Sequence, residues 1–290
     1  MADTQHIRNP VEWVGAHVGS AVASTAAFGH ALLGSAKARN APLPTVRRIS
    51  VTDLREAVEK GIEDFEAYRS DVVFVVLVYP VIGLLLAWLT VGNNAVPLLF
   101  PLVSGFALIG PVAALGLYQM SRRREQGSTV NWMDAFGVAR SPAFGAILVL
   151  GLLLLAIFLL WLGAAYAIWH VTLGPEPPVS VAAFAGEVLT TSAGWSMIVA
   201  GMGVGFLFAA LVLAISAVSF PLLLDRDIGL YRAVITSVRA VAKNPVTMAI
   251  WGLIVACGLA IGSIPAFIGL IVILPVLGHA TWHLYRKVVA

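Results

Sequence analysis

All eighteen Lys and Arg residues of this chain lie to one side of six long apolar segments, and none lies to the other. Short loops rich in Lys and Arg stay in the cytoplasm while uncharged loops cross, so the pattern predicts both a multi-pass membrane protein and its orientation. Composition points the same way. With 59% hydrophobic and 11% charged residues, a chain of 290 residues has too little polar surface to coat a soluble globule.

Runs able to cross roughly 30 Å of hydrocarbon need about 20 apolar residues. Six qualify: Val72 to Thr90, Val96 to Met120, Ala143 to Val171, Ala193 to Leu224, Thr247 to Gly262 and Ile264 to Leu284. The fourth is long enough as a helix, roughly 45 Å at 1.5 Å per residue, that it must tilt, extend beyond the bilayer or break near Pro221. Arg8 to Arg69 precede the first span; Arg122, Arg123, Arg124 and Arg140 separate the second from the third; Arg226, Arg232, Arg239 and Lys243 separate the fourth from the fifth; Arg286 and Lys287 follow the sixth. The opposite connections carry only Glu176 and Glu187, so both termini are expected in the cytoplasm. Trp88, Trp169 and Trp195 are placed at the outer boundary and Tyr118, Trp132, Tyr231, Trp282 and Tyr285 at the inner one, as aromatic belts.

The membrane entries share a grammar. Leu54, Val58, Ile62 and Phe65 recur at helical spacing before Arg69-Ser70; Trp132 and Phe136 precede Arg140-Ser141-Pro142; Leu230, Val234, Val238 and Val241 precede Lys243-Asn244-Pro245. In each, a base suits the end of one helix and Ser or Asn can cap the next, and in the second and third Pro suits the first turn. The returning spans carry Pro111, Pro221 and Pro275. The expected architecture is therefore all-α: six transmembrane helices as three pseudo-repeated hairpins, each preceded by an amphipathic cytoplasmic helix. The alternative is that each entry selects base, cap and proline independently. Residues 46–290 form this membrane domain, and residues 1–45, with His17 and His30, form a separate segment, interfacial or partly disordered.

Several stretches resemble the bacterial predicted integral membrane proteins grouped as a domain of unknown function: Val46-Arg-Arg-Ile-Ser-Val-Thr-Asp-Leu, Ser121-Arg-Arg-Arg-Glu-Gln-Gly, Phe220-Pro-Leu-Leu-Leu-Asp-Arg-Asp and the ending from Pro275 to Lys287. The resemblance implies a bacterial inner-membrane location and no established activity. A fainter similarity joins Pro221 to Pro245 to the membrane domain associated with glycerophosphodiester phosphodiesterases, whose catalytic domain has no counterpart here.

Chemistry is sparse. The six spans contain no Asp, Glu, Lys or Arg, which coupled transporters keep at membrane depth. Ser104, Ser196, Ser216, Ser219 and Thr247 read as partners for helix backbones, and Gly201 with Gly205 and Gly258 with Gly262 as small ridges for close helix packing. Cys257, the single cysteine, excludes a disulfide framework and reads as a packing residue. His279 and His283 share a helix face and are the candidate metal ligands, with Asp225 and Asp227 as possible neighbours; the alternative is interfacial imidazoles bonded to backbone or lipid headgroups. No nucleophile elbow or nucleotide loop stands in the right context, so no enzyme activity and no cofactor are expected. A structural or accessory subunit that binds lipid or another membrane complex fits best. The alternatives are a facilitative pore or carrier for an amphipathic solute, lined by Ser104, Ser216 and His279, and a metal-binding membrane protein. The expected partners are the bilayer, anionic headgroups at the cytoplasmic face and another membrane complex, not nucleic acid.

Overall fold

The computed structural model describes residues 29–35, 42–68, 81, 83–85, 88, 90, 95–128, 130 and 132–290. Most of the first expected span and most of the segment 1–45, His17 included, lie outside the described residues.

Helix α1 (Val51–Ala67) starts at a reciprocal cap: Ser50 Oγ accepts from the Asp53 N–H while the Asp53 carboxylate accepts from the Ser50 N–H. Its buried face is Leu54, Ala57, Gly61 and Asp64. The stripe expected from Leu54, Val58, Ile62 and Phe65 is thus rotated, because the contact is made by small residues. Across it lies the last helix, in antiparallel alignment: Asp53 meets Lys287 near one end and Asp64 meets His283 near the other.

The second expected span is divided. A short 3-10 turn at Val96–Leu98 leads into α2 (Leu99–Ala113), and α3 (Leu115–Glu125) restarts after Ala114, shortly beyond Pro111. The second entry helix is a 3-10 helix at Trp132–Arg140, after which Ser141 Oγ accepts from the Ala143 N–H ahead of α4 (Phe144–Thr172). The following connection contains a helix that the sequence reading missed, α5 (Val181–Thr190), capped by Ser180. Next come α6 (Ser192–Ser216) and α7 (Ser219–Asp225). The interruption falls four residues before Pro221, where a proline ring collides with the preceding carbonyl, and the Val218 N–H donates to Ser237 Oγ.

Helix α8 (Leu230–Lys243) follows Gly229, and α9 (Pro245–Ser263) begins on Pro245 as expected. Asn244 does not cap α9 with its side chain. Its amide ties down the chain entering α1 instead, accepting from the Ile49 N–H at 2.9 Å and donating to the Arg47 and Ala240 carbonyls, each at 3.0 Å. Helix α10 (Leu270–Val288) starts later than the span expected from Ile264, after a turn in which Ala266 and Phe267 take positive φ.

Among the described residues, three helical stretches are long and apolar enough to cross a membrane: Phe144–Thr172, Ser192–Asp225 and Pro245–Ser263. In lipid the helices gain little from hydrophobic exclusion, so close fit between them has to hold the bundle. Gly258 and Gly262 of α9 receive Ile273, Leu277 and Leu270 of α10, while Gly205 of α6 receives the Trp161 ring of α4. Gly201 faces open space. Cys257 is also exposed rather than packed. Residues 29–35 dock near α8: a Cβ on Gly229 would lie 2.2 Å from the Gly34 nitrogen, and His30 reaches Asp227 at 3.4 Å.

Candidate functional site

The end of α3 organises the basic end of the bundle. Successive residues turn by about 100° around a helix, so the run Ser121 to Glu125 points in several directions. Arg122 approaches Asp225 of α7 at 3.6 Å, Arg123 pairs with Asp134 of the 3-10 helix, and Arg124 donates to Asp64 of α1 at 2.6 Å. Glu125 accepts from Trp282 at 3.1 Å and Arg286 at 3.0 Å, both on α10. Arginines expected to meet lipid headgroups are therefore met by carboxylates of the chain itself.

Beneath this fan lies a buried polar cluster. The Ser121 hydroxyl is 2.6 Å from Asp64 Oδ2 and 2.7 Å from His279 Nδ1, and His283 Nε2 is 2.9 Å from the same Asp64 oxygen. An ionised carboxylate only accepts. The single Ser121 proton is therefore given to Asp64, so His279 must donate through Nδ1 to Ser121 Oγ and His283 through Nε2 to Asp64. Burial alone would raise the Asp64 pKa; the hydrogen bonds from His283 and Ser121 overcome it and hold the value down at about 2. The charge of Arg124 at 2.6 Å completes the neutralisation. This leaves His279 Nε2 buried without a hydrogen-bond partner among the described residues.

Serine, histidine and aspartate thus come together although no triad was legible in the sequence. Their order is wrong for a nucleophile relay, in which imidazole stands between hydroxyl and carboxylate. Here serine stands between the other two, its proton faces the carboxylate, and the residue is 1% exposed. The arrangement serves to lock three helices together.

The expected interfacial placement of the histidines is overturned for His279, which is fully buried and bonded to a side chain. Nor do Asp225 and Asp227 approach the pair: Asp225 accepts from the Tyr285 hydroxyl at 2.6 Å, and Asp227 pairs with His30. Among the described residues no group of three or more His, Cys, Asp and Glu is placed to hold a metal. Tyr118, Trp282 and Tyr285, expected in an interfacial belt, are buried, whereas Trp88, Trp195 and Tyr231 are exposed.

The hydroxyls behave as read from the sequence. Ser104, Ser196 and Ser216 donate to carbonyls of their own helices, Ser219 to the Ile215 carbonyl near the end of α6, and Thr247 to the Ile49 carbonyl. Ser104 and Ser216 are thus already engaged, and His279 is sealed. A polar cleft of about 500 Å³ opens beside the cluster, lined by Lys60, Glu63, Asp64, Ser121 and His283 among others. A second cavity, of about 490 Å³, is apolar and lies between α1, α9 and α10. None of Ser104, Ser216 and His279 lines either.

Asp64 is the residue that the sequence reading missed. Its signal was present: an acid continuing the row Leu54, Ala57, Gly61 at helical spacing, where an apolar residue would be expected.

Residues 98–225 match the family described as predicted integral membrane protein (DUF2189), a domain of unknown function. The matched stretch contains the Ser121 to Gly127 run and Phe220 to Asp225, two of the motifs on which the resemblance rested. No curated protein and no solved structure matches the chain. With its three long apolar helices, the match marks an integral membrane protein.

Proposed function

We propose that this chain is a structural or accessory protein of the bacterial inner membrane, without enzymatic activity, that binds another membrane complex or lipid. Its six spans form three hairpins with both termini in the cytoplasm. The observation that carries this reading is the consumption of polar groups within the chain: the Arg122 to Glu125 fan is paired to four other elements, and the hydroxyls of the spans are bonded to carbonyls. A coupled transporter needs ionisable groups that exchange partners along a path. A fixed network of this kind suits a scaffold.

Purification of the intact chain from its native membrane in mild detergent, followed by identification of what accompanies it, tests the proposal. A stoichiometric membrane subunit or tightly held lipid is the expected result. Solute flux through liposomes containing the chain alone, abolished by substitutions in its spans, would overturn it.

A further inference from the structure

We infer that the apolar groove between α1, α9 and α10 holds one acyl chain of a phospholipid with an ammonium headgroup. Ile62 and Phe65 of α1, Ile254 of α9, and Val276 and Leu277 of α10 form aliphatic and aromatic walls. Glu66 alone among the lining residues is polar. α9 is long and apolar enough to span a membrane, so the groove beside it opens on hydrocarbon. Its volume of about 490 Å³ would be filled by roughly one turn of a helix about 10–12 Å across. A single flexible chain fits.

The rim selects the headgroup. Glu66 is exposed at the C-terminal end of α1 and makes no ion pair among the described residues. A carboxylate beside the negative end of a helix dipole attracts an ammonium and repels both a fatty-acid carboxylate and an anionic headgroup. Lys60 and Glu63, the nearby charges of α1, line the polar cleft instead. The inference rests on the reading of the chain as a lipid-contacting membrane protein and adds which lipid and where.

The full chain reconstituted in vesicles of mixed ethanolamine and glycerol phospholipids, with a trace of ethanolamine phospholipid bearing a photoreactive acyl chain, supplies the test. Labelling should concentrate at Phe65 and Val276, several-fold above Val199 and Phe206 on the exposed flank of α6. Ile62→Trp, at a position that is 41% exposed, should cut that labelling several-fold without changing the melting profile. Ethanolamine lipid should compete better than glycerol lipid, and Glu66→Lys should reverse the order. Uniform labelling, labelling indifferent to Ile62→Trp, or equal competition by the two headgroups would overturn the inference. Co-purification of a partner subunit reads the accessory role separately: a chain that keeps its partner yet labels uniformly loses only the groove.

Discussion

Gly61 of α1 rests directly on Ala280 of α10: a Cβ built on Gly61 would lie 2.7 Å from the Ala280 nitrogen and 2.7 Å from the Val276 carbonyl oxygen. Backbone atoms cannot step aside as a side chain tip can. Gly61→Ala should therefore force the helices apart and destabilise the fold by about 1–3 kcal/mol, seen as a lower melting temperature in detergent. An unchanged melting temperature would mean that α1 does not dock here.

Removing the charge of Asp64 should cost more than removing a typical surface ion pair. Its side chain is 6% exposed and serves Arg124, Ser121 and His283 together. Asp64→Asn strands these donors and is expected to destabilise by about 3 kcal/mol. Arg124→Met should do less, since that guanidinium is partly solvated. Chemical denaturation of the two variants ranks them, and equal losses would count against Asp64 as the centre of the cluster.

Acid should open the same lock. The folded Asp64 pKa, about 2, lies below its ordinary value of 3.8, so its contribution is fully present above pH 4 to 5 and is lost as pH falls through 3.8 toward 2. The linked stabilisation is about 2 kcal/mol. A stability titration should show this acid limb in the wild type and a shallower one in Asp64→Asn.

Replacing both His279 and His283 by Gln should lower stability without changing metal content. His279 donates to Ser121 inside the bundle and His283 to Asp64, so the loss falls on the packing of α10 against α1 and α3. Elemental analysis and melting, measured on the same preparations, separate the roles. Stoichiometric metal in the wild type that disappears from a folded double variant would establish the metal reading.

Topology is tested by single cysteines introduced into a Cys257→Ala background. Positions beside Arg123, Arg226 and Lys287 should resist an impermeant thiol reagent added outside, and a position beside Glu176, in the turn after α4, should react. Labelling beside Arg123 from outside would reverse the orientation.

The long apolar helices were legible because a continuous run such as Phe144 to Val171 admits few other structures. The break ahead of Pro221 was legible for the same local reason. Tertiary partners were not. Arg122, Arg123 and Arg124 spell membrane orientation in sequence, whereas their division among Asp225, Asp134 and Asp64 depends on elements far apart in the chain. Apolar periodicity also misled at α1, where Val58, Ile62 and Phe65 drew attention from the smaller residues that make the contact. Helix α5 was hidden in a connection read only for its charges, although Ser180 supplies an N-cap.

The contact between α1 and α10 has a consequence for assembly during synthesis. Asp64 and His283 are 219 residues apart, and at roughly 5–20 residues per second a ribosome needs on the order of ten to forty seconds to travel from one to the other. Through that interval Asp64 can meet Ser121 and Arg124 of α3 but neither imidazole. Docking becomes favourable once the last helix brings both imidazoles into place. The seat that α10 offers to α1 thus exists only after every other described helix has been made.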